Sequence, residues 1–255
     1  MNYKPSPKPA VSVHTNTLIQ EIQNYSGQIR DALPKHLNAT RITRIIMTEV
    51  RKNPKLAECS RASFFGAILQ ASSLGLEIGS GLGHAYLVPF KNEVQLITGY
   101  QGMIDLAERS GKVTIDAHVV YEKDEFNYEL GLNPILTHKP YTGTEDRGMI
   151  IASYAVARYV DGRTKFRVLN RQDIDKAREA GNKNSPSWKN SYDEMARKTP
   201  IRRLFKMLPK SPDMATVQEL EDKIEIGESQ ELDYLAPKEI QDEITVQATE
   251  EDHNE

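Results

Sequence analysis

The chain holds one cysteine, Cys59, and one tryptophan, Trp188, in 255 residues. A single thiol excludes an internal disulfide and any metal site built from several thiolates, and it reads as a small buried side chain. Long apolar runs are missing as well. No stretch of about 18 apolar residues is present to cross a bilayer, and the opening MNYKPSPKPAVSVHTN lacks the apolar segment a secretory signal needs. The expectation is a cytoplasmic protein with no membrane association. His84, His118 and His138 stand apart in sequence, without thiolates or carboxylates at ligand spacing, so neither a metal site nor a cofactor is expected.

Basic residues are nearly absent from one part of the chain. Beyond Lys210 lie 2 of the 33 Lys and Arg residues but 15 of the 36 Asp and Glu. The formal net charge of −3 therefore conceals a basic body and an acidic tail. Such a split suggests a polyanionic partner, with the tail as a competitor or an adaptor. Within the body the excess is concentrated, since Arg158 to Lys210 contains 15 basic and 6 acidic residues.

With 38% hydrophobic and 27% charged residues the chain can build a proper core. Residues 1–15, rich in proline, read as a disordered arm. NATRITRIIMTEVRKNP puts Ile42, Ile45, Ile46 and Val50 on one helical face, with Asn38 as cap and Pro54 as stop. Arg41, Arg44, Arg51, Lys52 and Lys55 fill the rest of that helix and its end. SRASFFGAILQASSLGL reads as a second helix ended by Gly75, and a weaker one covers 16–32. HAYLVPF and VQLITGY form a hairpin about Lys91-Asn92-Glu93, while MIIASYAVARYV and TKFRVLN are joined through Asp161-Gly162, a strong turn signal. Further strands are read at VTIDAHVVY and FNYEL, and helices at QGMIDLAERSG, RQDIDKAREAG and DEMARKTPIRRLFKML. The expected class is α+β, an antiparallel sheet of hairpins and meander with helices before, within and after it. Residues 16–210 are expected to form one domain, followed by a largely flexible acidic tail over 211–255.

Glycines 79, 81 and 83 raise the question of a phosphate-binding loop. Such a loop follows a strand and opens a helix, whereas here the glycines follow a helix and lead into a strand. Gly111-Lys112 is the only Gly-Lys pair, and Val113 stands where Ser or Thr would bind magnesium. The glycines are read instead as backbone devices that permit unusual angles and close approach.

GLEIGSGLGHAYLVPF, VQLITGYQGMIDLAERSG and SYDEMARKTPIRRLFKMLP, in that order, resemble the signature segments of the RecT family of phage-type single-strand annealing recombinases. The resemblance runs from about residue 30 to residue 210. It implies ATP-independent binding of single-stranded DNA, annealing of complementary strands in recombination through an annealed duplex intermediate, and assembly into a homo-oligomeric ring or helical filament. It also implies cooperation with a 5′→3′ exonuclease and a host single-strand binding protein through the C-terminal region.

Annealing makes and breaks no covalent bond, so no catalytic residue is expected. Cations on a rigid surface must hold the phosphodiester backbone and leave base edges free. Lys198, Arg202 and Lys206 recur every four residues, with Arg197 and Arg203 beside them, opposite an apolar side of Ile201, Leu204, Phe205 and Leu208. They are the leading candidates for a basic DNA-binding groove, and Pro200 is expected to kink the helix or restart it. Lys91, Asn92 and Gln101 are candidate polar contacts, Arg109 and Lys112 candidate cations, and Trp188 a candidate platform for a base. Two other readings compete. Pro212-Asp213 followed by Glu221-Asp222-Lys223 matches the bare PD…ExK pattern of a metal-dependent nuclease, although Val217, Leu220 and Ile224 carry helical spacing there. The other is a protein that coats single strands without annealing them.

Overall fold

The computed structural model describes residues 13–35, 37–79, 81–180 and 186–242. Residues 1–12 of the expected arm and 243–255 of the acidic tail lie outside the described residues. The chain divides into two compact units, residues 1–102 with 215–255, and residues 103–214. This differs from the single body expected over 16–210.

The first unit begins with four helices, α1 (Val13–Asn24), α2 (Ser26–Ala32), α3 (Ala39–Lys52) and α4 (Arg61–Ser73). In α3 the Asn38 side chain accepts the Arg41 N–H, and Ile42, Ile46 and Val50 are buried at helical spacing, as the sequence pattern requires. α4 is buried on almost every side, including Phe64 and Phe65, because its apolar residues leave no polar face. It needs close neighbours: a Cβ at Gly66 would collide with the carbonyl of Leu232. β1 (Ala85–Phe90) and β2 (Glu93–Thr98) form the expected antiparallel hairpin, with Lys91 in left-handed backbone at φ 54°.

The segment after Lys210 is not a flexible tail from its start. α9 (Pro212–Ile226) and a 3-10 turn at Leu232–Leu235 bury Val217, Leu220, Glu221, Gln230 and Leu232. The outer edge of β2 explains why. Leu96 N–H donates to Gln230 Oε1 at 2.7 Å, Gln230 Nε2 donates to Leu96 C=O at 2.9 Å, and Thr98 N–H donates to Glu221 Oε1 at 2.9 Å. Side chains thus stand in for a third strand and satisfy an edge that would otherwise be buried without partners.

The second unit is built on a three-stranded antiparallel sheet in the order β3 (Val113–Tyr121), β6 (Ile150–Tyr159), β7 (Thr164–Asn170). β6 and β7 turn at Asp161-Gly162 as expected, Gly162 adopting φ 84°. β4 (Glu125–Glu129) pairs with β5 (Ile135–Lys139), a strand the sequence reading did not separate from its loop. Strand alternation splits the sheet's contacts between its two faces. On one face Val119, Ile150 and Leu169 pack with Ile174 of α6 (Arg171–Ala180), Trp188 of α7 (Pro186–Asn190) and Ala196 of α8 (Tyr192–Phe205). On the other, Val120, Ala152, Tyr154 and Val156 are covered by Phe126 and Leu136 of the β4–β5 hairpin.

That hairpin is pinned by a buried polar cluster. Asp124, with no exposed side-chain surface, accepts from the backbone N–H groups of Tyr121 and Tyr141, from Arg147 and from His138 Nε2 at 3.1 Å, while His138 Nδ1 lies 3.1 Å from the Tyr154 hydroxyl. Burial pushes the Asp124 carboxyl up, but Arg147 and the other donors outweigh it and hold the group well below the usual carboxylate range. The remaining helix, α5 (Tyr100–Glu108), contains the boundary between the units near its start, as α9 does.

Candidate nucleic-acid interface

Two cavities of the second unit, of about 470 and 550 Å³, share Tyr159, Arg163 and Pro209 in their walls. One reaches the tip of the β4–β5 hairpin at Leu132, Pro134 and Ile135, with Thr164 and Lys165 on the facing strand. The other runs past Arg109, Ser110 and Lys112 to Lys210 and Asp213. Together they make a groove with five cations, Arg109, Lys112, Arg163, Lys165 and Lys210, against Asp161 and Asp213.

The cations differ in how they are held. Arg109 is bonded to Asp105 at 2.6 Å, and Lys165 Nζ donates to the Met207 carbonyl at 2.8 Å. Arg163 pairs with Asp161 at 2.7 Å and packs 5.1 Å from the centre of the Tyr159 ring. The hydrogen bond from Arg163 lowers the Asp161 carboxyl, so the pair stays ionised at neutral pH. Lys112 and Lys210 are exposed and their ammonium groups have no partner among the described residues. Exposed Leu132 and Ile135 add an apolar wall at one end. Fixed guanidinium groups, free ammonium groups and apolar surface in one groove suit an extended phosphodiester whose bases need somewhere to rest.

The candidates read from sequence are distributed unevenly. Arg109 and Lys112 lie in this groove. α8 runs unbroken through Pro200, which is buried, and uses Ala196, Ile201, Leu204 and Phe205 for packing. Lys198, Arg202 and Lys206 are half-buried, and each already interacts within the protein; Arg197 pairs with Glu194 at 3.0 Å and Arg203 is half-buried. The row is therefore not a clear solvent-facing stripe. Trp188 is buried against Tyr192, ring centres 5.5 Å apart, and has no face to offer a base. Lys91, Asn92 and Gln101 are exposed but belong to the first unit. Arg163, Lys165 and Lys210 went unnamed in the sequence reading. The signal for them was the basic excess between Arg158 and Lys210.

The glycine-rich stretch serves the backbone. Gly79 and Gly83 adopt φ 105° and 68°, and a Cβ at Gly99 or Gly102 would strike the carbonyl oxygen of Gly83 or His84. The PD…ExK residues lie on α9, where Glu221 is buried on the Thr98 N–H and Lys223 pairs with Glu231 at 2.7 Å. A carboxylate spent on a backbone edge is not free for magnesium, so the nuclease reading loses its motif.

The family model for the RecT family matches residues 40–232. The chain belongs to the RecT family. This RecT-family chain is 49% identical over 208 residues to "Protein RecT" of Escherichia coli K12, an alignment covering 77% of this chain and 76% of that protein. It is 28% identical over 167 residues to "Uncharacterized protein YqaK" of Bacillus subtilis 168, covering 64% of this chain and 57% of that protein. The RecT match extends to residue 232, through α9 and into the segment that closes β2. Among the described residues no helix is long and apolar enough to cross a membrane.

Proposed function

We propose that this chain is a single-strand annealing recombinase that binds DNA along the cationic groove of its second unit and pairs complementary strands without nucleoside triphosphate. The observation that carries the reading is the convergence of Arg109, Lys112, Arg163, Lys165 and Lys210 on one groove in a RecT-family chain. The cations take the backbone while base edges remain free, so binding is nearly blind to sequence and steeply dependent on salt. No bond is made or broken, and the annealed duplex is released by exchange rather than by chemistry. The working state is a homo-oligomer in the cytoplasm, in which neighbouring copies extend the path of the strand. The cations of α8 support the groove, Lys198, Arg202 and Lys206 acting with Arg203 and Arg197 around the helix. Residues beyond 242, which carry five acids and no Lys or Arg, suit contacts with an exonuclease and a single-strand binding protein.

The test is a gel shift without nucleotide, comparing one strand, two complementary strands added in sequence, and preformed duplex. The reading expects retention of the single strand and of the sequentially added pair, with strands left intact in magnesium. Failure to bind single strands at low salt, or cleavage of them, would overturn it.

A further inference from the structure

The exposed face of α3, in the first unit, carries a second cationic array. Arg41, Arg44, Thr48 and Arg51 follow one another at spacings of three and four, Lys52 lies four beyond Thr48, and Lys55 follows in the 3-10 turn that begins at Pro54, all of them exposed. From Arg41 to Lys52 the stripe is roughly 16 Å long at 1.5 Å per residue. Arg41, Arg44, Thr48 and Lys52 line an open cavity of about 900 Å³ together with Asn38, Thr40, Glu49 and Glu77. Arg41 is held on both carboxylate oxygens of buried Glu77, which fixes its guanidinium at the cavity wall, and Lys52 pairs with Glu49 at 2.7 Å. The side chains of Arg44, Arg51 and Lys55 have no hydrogen-bond or ion-pair partner among the described residues.

We propose that this face receives the sugar–phosphate backbone of the incoming strand during annealing. The inference rests on the annealing reading above and assigns it a second surface. A strand already bound is a polyanion and repels its complement, so capture of a second strand needs cations of its own. Three properties of α3 favour a nucleic-acid backbone over an acidic protein segment. Arginine predominates, and its planar fork matches phosphate oxygens. No large exposed apolar side chain lies between Asn38 and Lys55 to form the core of a protein contact. The Asn38 end adds the positive end of the helix dipole.

The experiment uses the full chain with Arg44→Ala, Arg51→Ala and Lys55→Ala combined. Anisotropy measures binding of one labelled strand, a donor–acceptor oligonucleotide pair reports annealing, and sedimentation velocity reports assembly. The expected result is unchanged single-strand affinity, annealing slower by on the order of tenfold at low salt, and a salt slope of the annealing rate smaller by about 2, three contacts at ~0.7 each. Arg44→Lys with Arg51→Lys restores most of the rate. An unchanged annealing rate overturns the proposal. Equal loss of first-strand binding overturns it too, by placing α3 on the path of the first strand, and a shift in sedimentation would make the face a protein contact. Failure of the unmodified chain to bind or anneal would instead remove the annealing reading itself.

Discussion

The carboxamide of Gln230 bonds both backbone groups of Leu96, accepting its N–H at 2.7 Å and donating to its C=O at 2.9 Å. A side chain far along the sequence thereby completes an edge strand. Gln230→Ala leaves a buried N–H and C=O without partners, and the expected loss is about 1–3 kcal/mol. Urea unfolding at pH 7 measures it. A chain ending at Lys210 loses Glu221 and Gln230 together and is expected to unfold without a cooperative transition; a sharp transition near the full-length midpoint would contradict this role for 212–242.

Asp124 couples stability to acid. Its folded pKa lies below the unfolded value of about 3.9, so its contribution is fully present above that value and is lost as pH falls through the depressed folded one. Asp124→Asn is expected to cost about 1.5–3 kcal/mol at neutral pH and to flatten the decline in stability below about pH 4. Urea midpoints of both proteins from pH 7 to pH 3 check it. Parallel declines would show that other carboxyls set the acid limit.

Trp188 is a core residue in this fold. Trp188→Ala is expected to cost about 3–5 kcal/mol, whereas Trp188→Phe keeps the fold and single-strand affinity within about twofold, since an aromatic ring still packs on Tyr192. Chemical denaturation and anisotropy on the two variants separate packing from stacking. A tenfold loss of affinity in folded Trp188→Phe would restore the stacking role.

In the proposed groove the ammonium groups of Lys112 and Lys210 have no partner among the described residues. Replacing both by alanine is expected to weaken single-strand binding and reduce the slope of log K against log salt by about 1.4, two contacts at ~0.7 each, with an unchanged melting temperature. Replacing Lys198, Arg202 and Lys206 together is expected chiefly to lower the melting temperature, with a smaller change in the salt slope than the Lys112 and Lys210 variant, because those side chains are half-buried and engaged. An unaltered slope in the Lys112 and Lys210 variant would move the groove elsewhere.

Local chemistry made much of this fold legible. Asn38, the spacing of Ile42, Ile46 and Val50, and Asp161-Gly162 each act over a few residues, and each element formed where they point. The α+β class with antiparallel hairpins follows from them. Long-range terms were not readable. Charge alone marked 211–255 as a flexible tail, but Glu221 and Gln230 are polar side chains recruited to a backbone edge, and nothing in their neighbourhood announces β2. Periodicity likewise singled out Lys198, Arg202 and Lys206 as a stripe, yet it could not show that the helix lies half-buried across a sheet. The groove draws on strand ends, a hairpin tip and a loop at Pro209, positions that only topology unites.

The most direct measurement is the rate at which donor- and acceptor-labelled complementary oligonucleotides pair with the purified full chain in buffer free of nucleoside triphosphates, followed across a salt series. The account predicts acceleration over the protein-free rate that fades steeply as salt rises and is unaffected by added ATP. Pairing that required ATP hydrolysis, or a rate equal to that of naked strands at low salt, would contradict it.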